Sequence, residues 1–177
     1  TQGSIFFTSI SDHGVMIPAP IPDNELVRLA ALLRLKLLDQ PADPSFEALT
    51  RVMAATTGAP IAMISLVDAE RQWFMCKVGT DACETPRAVS FCGHAIMVTM
   101  PLVVADAMKD ERFADSPLVT GPPHVRAYLG APLITAEGCA LGTLCAIDTN
   151  APRSWSRSDI ALRAGQELDL GAVYLEP

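Results

Sequence analysis

Apolar and polar positions change period several times along the chain. From Asn24 to Leu38 the spacing is helical, with Leu26, Leu29, Leu33 and Leu37 stepping by 3, 4 and 4 behind a cap at Asp23 or Asn24. Leu32, Leu35 and Leu38 fall off that stripe, so seven leucines in thirteen positions exceed what one buried face needs. The surplus is expected either deep in the domain's own core or on a second face that meets another subunit. Asp43 as cap, Pro44 at the first helical position and Gly58 past the end predict a second helix, with Phe46, Leu49, Val52 and Met53 buried.

The period then becomes that of strands. Ala59–Asp68 and Arg71–Val78 read as a hairpin about Ala69-Glu70, and Val125–Thr135 with Ala140–Asp148 as a second one about Ala136-Glu137-Gly138. Between them lie a loop from Gly79 to Pro86, a short helix from Phe91 to Met97 and a short strand from Leu102 to Ala105. An irregular stretch follows from Asp106 to Pro123, with one helical turn near Asp110–Phe113. A last helix runs from Ser156 to Tyr174, opened by a capping-box pattern at Ser156 and Asp159. Ile160, Ala164, Leu168, Gly171 and Leu175 share one of its faces.

Hairpins imply an antiparallel sheet. The expected class is α+β: five or six strands, terminal helices on one face, short helices and loops over the other, with room for a pocket beneath them. Alternation puts Trp73 and Phe74 on opposite faces, and Trp155 should staple the last helix to the sheet. Residues 1–22, with Pro18, Pro20 and Pro22 alternating, form an extended N-terminal arm, and residues 23–177 form a single domain.

Composition narrows the function classes. Half of the 177 residues are apolar, enough for a core, which excludes a disordered chain. A net charge of −7 disfavours nucleic acid and anionic membrane surfaces. Ala88–Ala105 lacks charged residues, but Pro101 interrupts it and Asp106 follows, so it reads as two buried elements and not a membrane span. Five cysteines without a C-x-x-C pair, and no secretory pattern at the start, point to a reducing, cytoplasmic setting. The absence of an initial Met suggests a chain processed or cut from something longer.

Four strings in order carry a family resemblance. They are Ile64–Asp68 with Arg71–Phe74; Ser90–Ile96 (Ser-Phe-Cys-Gly-His-Ala-Ile); Leu102–Ala107 with Asp110–Phe113; and Val125–Leu133 with Gly142–Asp148, Pro152 and Arg153. Together they resemble the GAF domain family of signalling modules, in the variant found in bacterial sensors. The resemblance implies a ligand pocket opposite the terminal helices, and coupling to an output such as a histidine kinase or diguanylate cyclase. It leaves the ligand unknown. Ligand-pocket candidates are Phe91, Cys92, His94, Asp106, Arg112, Phe113, Arg126, Tyr128 and Cys145. Candidates for helices pairing in a homodimer are Leu26, Leu29, Leu32, Leu33, Leu35, Leu168 and Leu175.

Each constellation also has a plainer structural reading. Cys92 and His94 diverge at i and i+2 on a helix, so no metal site is expected even with Asp106 or Cys145 nearby. Arg87, Arg112 and Arg126 suit an anionic ligand, yet pairing with Asp68, Asp106, Asp110 or Asp148 would equally occupy them. Covalent bilin is not expected, because no Cys precedes the Val125 strand. One alternative is a thiol-dependent free methionine-(R)-sulfoxide reductase using Cys92 with Cys145 or Cys83. The other is a ligand-free dimerisation scaffold, with Phe113 and Tyr128 filling the pocket. No catalytic residue is assigned, and no paired-carboxylate, Walker or dinucleotide pattern is present.

Overall fold

The computed structural model describes residues 16–164. Two helices lead, α1 (Glu25–Arg34) and α2 (Pro44–Thr57). Asp43 caps α2 by accepting from the Ser45 amide, and Gly58 ends it in the left-handed region at φ 59°. The first hairpin follows as β1 (Ile61–Val67) and β2 (Arg71–Val78), then the short strand β3 (Glu84–Pro86). Next come α3 (Phe91–Ala95), β4 (Leu102–Val104), α4 (Pro117–Thr120), the second hairpin β5 (Ala127–Ile134) and β6 (Ala140–Asp148), and α5 (Arg157–Ala164). All neighbours in the sheet are antiparallel, in the order β3-β2-β1-β6-β5-β4. The α+β class and the six-stranded sheet are therefore as the pattern predicts.

Both sheet faces are covered, each by its own apolar layer. Under α1, α2 and the start of α5 lie Leu32, Phe46, Met53, Ile64, Leu66, Leu129, Leu144 and Trp155. On the opposite face, α3, α4 and the segment between β4 and β5 cover Met63, Val67, Phe74, Val104, Tyr128 and Cys145. Trp73 and Phe74 separate onto these two layers as period-2 alternation requires. Trp155 is buried among the terminal helices and its indole Nε1 donates to the Val104 carbonyl at 3.4 Å. The capping box is formed: the Asp159 amide donates to Ser156 Oγ at 3.1 Å, and the Ser156 amide to Asp159 Oδ2 at 2.8 Å.

Several local expectations are corrected. The first helix stops at Arg34 instead of Leu38, because Lys36 turns left-handed at φ 52°. That turn throws Leu37 and Leu38 back onto the core, where Leu32 and Leu35 also pack. Leu32 and Leu35 thus serve the domain's own core, while Leu26 (85 % exposed) and Leu33 (61 %) stand in solvent and Leu29 is half-buried. Val52 is exposed and Thr50 takes its expected place inside, its hydroxyl donating to the Phe46 carbonyl at 2.9 Å. Glu84–Pro86 pairs with β2 where a loop is expected; the irregular stretch makes its expected turn at Asp110, whose carbonyl accepts from the Phe113 and Ala114 amides, and a further helical turn at Pro117–Thr120. Leu168 and Leu175 lie outside the described residues. No helix among the described residues is long and apolar enough to cross a membrane.

Candidate functional site

The layer opposite the terminal helices gathers most of the chemistry-bearing side chains. Alternation along the central strands aims Ser65 of β1, Thr143 and Cys145 of β6, and Tyr128 of β5 toward it. Gly130 stands directly opposite Cys145, and a side chain there would meet the Tyr128 hydroxyl at 2.0 Å. The missing Cβ lets the Tyr128 ring lie along its own strand, fully buried, with its hydroxyl donating to Cys92 Sγ at 3.5 Å.

Helix α3 supplies the roof. Ser90 caps it by accepting from the Gly93 amide at 2.9 Å. Phe91 stacks on Phe113 at 4.0 Å between ring centroids, inclined 14°, and lies 5.2 Å from Tyr128. His94 meets the edge of Phe113 at 4.8 Å. Burial holds the His94 imidazole below its ordinary value. Cys92 and His94 diverge as helical spacing requires, and Cys92 Sγ instead lies 3.9 Å from Cys145 Sγ across the layer. Hydrogen bonding with Cys145, then with Thr143, Tyr128 and Ser65, lowers the Cys92 thiol against the upward pull of burial. The opposite holds for Cys76 on the other face, which burial pushes up to about 11.

The charged candidates are held by neighbouring carboxylates. Arg112 closes a fork on Asp110, Nε to Oδ1 at 2.8 Å and Nη2 to Oδ2 at 2.6 Å, and lies over the Phe113 ring. That fork depresses the Asp110 carboxyl. Arg126 reaches Asp106 at 3.5 Å, and Asp106 accepts from the Met108 amide. Phe91, Cys92, His94, Phe113, Tyr128 and Cys145 thus share one layer, whereas Asp106, Arg112 and Arg126 stand in ion pairs at its margin. Cys83 is exposed, its sulfur 3.1 Å from Lys77 Nζ, and does not join Cys92. Among the described residues no three His, Cys, Asp or Glu side chains gather as metal ligands.

Two features were not expected from the sequence. A polar line crosses the buried sheet face: Ser65 Oγ to Gln72 Oε1 at 3.3 Å, then Gln72 Nε2 to Thr85 Oγ1 at 2.6 Å. Beside it Thr143 Oγ1 is buried next to the Cys92 and Tyr128 side chains. Polar residues inside apolar strand runs, Ser65 between Ile64 and Leu66 and Thr143 between Gly142 and Leu144, were the available signal. The second feature is a buried charge cluster at the edge of the two layers. Glu25 accepts from Arg28 Nε and Nη2, each at 2.8 Å, and from Arg87. Arg28 Nη1 donates to the Val67 carbonyl at 2.6 Å. Burial alone would raise the Glu25 carboxyl, but the bonds from Arg28 and Arg87 outweigh it and hold it at about 2. Arg87 begins the 3-10 turn leading to α3, so the cluster ties α1 to the roof of the opposite layer.

A six-stranded antiparallel sheet with terminal helices on one face and a short-helix roof on the other defines an α+β domain. The chain belongs to the GAF domain family, whose sequence pattern matches residues 41–163. It is 43% identical over 147 residues to a cyclic di-GMP phosphodiesterase of Pseudomonas aeruginosa, a match covering 83% of this chain and 25% of that protein. The chain therefore spans a quarter of that relative's length. Among solved structures, the GAF domain of an Acinetobacter phosphoenolpyruvate-protein phosphotransferase superposes with TM-score 0.59 at 16% identity, over 84% of this chain and 92% of that one. A type II free methionine-R-sulfoxide reductase from Thermoplasma acidophilum gives 0.58 at 14% identity, over 73% and 89%. The GAF domain of PixJ from Thermosynechococcus elongatus, in its blue-light absorbing form, gives 0.56 at 15% identity, over 88% and 89%. At these identities the structural likenesses show the fold alone.

Proposed function

We propose that this GAF domain is a regulatory input module, and that the output it biases is of the cyclic di-GMP phosphodiesterase kind. The 43% identity to a quarter of such an enzyme carries the reading, because the other three quarters of that protein lie outside the match. The input face is the layer of Phe91, Cys92, His94, Phe113, Tyr128 and Cys145. Pairing of two copies through α1 is the route by which a change there reaches an output. Leu26 and Leu33, apolar and exposed on α1, support it, and Glu25 with Arg87 ties that helix to the roof. A ligand-driven change needs different affinity for two arrangements of the roof.

The test is a chimera in which this chain replaces the matching quarter of the Pseudomonas enzyme. Hydrolysis of cyclic di-GMP should persist, and substitutions in the roof or on α1 should change its rate. A rate indifferent to both sets of substitutions would dismiss the coupling. A second reading, a ligand-free dimerisation scaffold, is favoured by the close stacking of Phe91, Phe113 and Tyr128 across the expected pocket. Native mass spectrometry of the purified chain separates the two. A bound small-molecule mass favours sensing, and a bare dimer favours the scaffold.

A further inference from the structure

The two sulfur atoms at the centre of the input layer have a chemistry of their own. Cys92 sits on the roof helix and Cys145 on the central strand β6, 53 residues apart in sequence, with their sulfurs 3.9 Å apart. A disulfide needs about 2.05 Å between sulfurs, so closing the pair requires the roof to settle toward the sheet by less than the width of one atom. Both sulfurs are buried in the apolar layer, with polar groups beside them. The Tyr128 hydroxyl donates to Cys92, and Ser65 and Thr143 stand beside it. A hydroperoxide reaching this buried pair, 2% and 0% exposed, would meet a sulfur nucleophile and hydroxyl groups able to hold its leaving oxygen.

We propose that Cys92 and Cys145 form a peroxide-responsive dithiol, with Cys92 the attacked sulfur and Cys145 the resolving one. The oxidant class is a hydroperoxide, hydrogen peroxide in its smallest form. The Cys92 thiolate attacks the terminal oxygen, the O–O bond breaks, and the departing oxygen takes a proton to leave as water or an alcohol. Cys92 is then a sulfenic acid, oxidised by two electrons. The Cys145 sulfur attacks it, the S–O bond breaks, an S–S bond forms, and the hydroxyl leaves as water with the Cys145 proton. Two thiols and one hydroperoxide thus give one disulfide, one alcohol or water, and one further water.

Cys92 is the attacked member because the hydrogen bonds that favour its thiolate converge on it. It also rides on a five-residue helix, whereas Cys145 is held between two strand neighbours, β1 and β5. The disulfide would draw α3 toward β6, displacing the Tyr128 hydroxyl from Cys92 and disturbing the Phe91–Phe113 stack. This deepens the input reading by naming its signal, and it rests on that reading only for its consequence.

The test is thiol mapping on the unmodified chain, exposed to hydrogen peroxide, then denatured and alkylated. A peptide cross-linked through Cys92 and Cys145, lighter by two hydrogens and restored by dithiothreitol, is expected. In Cys145→Ser, dimedone should label Cys92 as a sulfenic acid. In Cys92→Ser, neither label nor cross-link should appear at Cys145. Recovery of both cysteines as alkylated thiols while the exposed Cys83 is oxidised would overturn the proposal. So would a cross-link to Cys76, Cys83 or Cys139, or Cys92 passing to a sulfinic acid without joining Cys145. The mapping of the unmodified chain needs no variant to fold. A mapped cross-link that leaves the chimera's hydrolysis rate unchanged would retain the dithiol and remove only the coupling.

Discussion

Glu25→Gln removes one charge from a place where three charged groups depend on one another. Arg28 and Arg87 are 1% and 3% exposed, and both direct guanidinium nitrogens at the Glu25 carboxylate. Breaking a buried pair by removing one partner typically costs about 3–5 kcal/mol. The amide keeps part of the hydrogen bonding, so about 3 kcal/mol is the upper expectation. The titration leads to a similar figure. Holding this carboxyl at about 2 instead of 4.5 corresponds to about 3 kcal/mol, and solvent reaching a side chain that is 14% exposed reduces it to about 2. For a domain of this size that is a fall in melting temperature of roughly 4–12 °C. The sign follows from the depressed carboxyl: its contribution is complete above 4.5 and is lost as pH falls from there toward 2. Urea melts of both proteins at pH 7 and at steps down to pH 3 should show a gap of about 2–3 kcal/mol at pH 7 that narrows below 4.5. A gap under about 0.5 kcal/mol at pH 7, or one that stays constant down to pH 3, would refute the reasoning.

Four further outcomes are expected. Gly142→Ala would place a Cβ 1.9 Å from the Ser65 carbonyl oxygen, between β1 and β6 where backbone cannot yield; a loss of about 3 kcal/mol in a urea melt is expected. Phe113→Ala removes the ring between Phe91 and His94, and should cost about 3–5 kcal/mol in the same assay, with the His94 imidazole rising toward its ordinary value in a proton NMR titration. Leu26→Glu with Leu33→Glu should leave stability within about 0.5 kcal/mol, since both are exposed, while shifting sedimentation at tens of micromolar protein from dimer to monomer. Gly93→Ala would put a Cβ 2.6 Å from both Ala19 Cβ and Ser90 Oγ. The Ala19 amide, which donates to the Ala88 carbonyl at 2.9 Å, should lose hydrogen-exchange protection while the central strands keep theirs.

The parts legible in the sequence are those whose cause is local. Arg71–Val78 and Ala140–Asp148 could be bounded to the residue, because largely apolar runs of strand length lie between turn residues. The Ser156–Asp159 box was readable because both partners lie within one turn. The sequence reads the first helix too long, since nothing in Lys36 announces a left-handed backbone. Val52 shows a related failure: apolar identity places it inside, but the stripe that faces the sheet runs through Phe46, Thr50 and Met53, four and three residues apart. The three residues of β3 form a strand only because β2 presents an open edge, which is a tertiary cause. The Cys92–Cys145 contact is similar: the strings brought both sulfurs to one face, but their separation depends on how α3 crosses β5 and β6. The charge cluster was illegible for the same reason, as Glu25 and Arg87 lie 62 residues apart.

The same cluster explains how one small fold can connect two faces that share no apolar contact layer. A six-stranded sheet separates the roof from the terminal helices, and a rigid sheet transmits little by bending. The link runs around its edge instead. The arm lies on the roof through Ala19 and Ala88, α1 begins at Glu25, and Glu25 grips Arg87 at the root of α3. Arg28 fastens the same helix to the end of β1. A movement of α3 that shifts Arg87 by an ångström must stretch charge-assisted bonds to α1 or carry α1 with it. Because unpairing two buried guanidiniums is costly, the helix should follow, within what the packing of Leu32 allows. Leu26 and Leu33 ride on that helix's exposed side, so a displacement of α1 repositions the very apolar groups through which a second copy would bind.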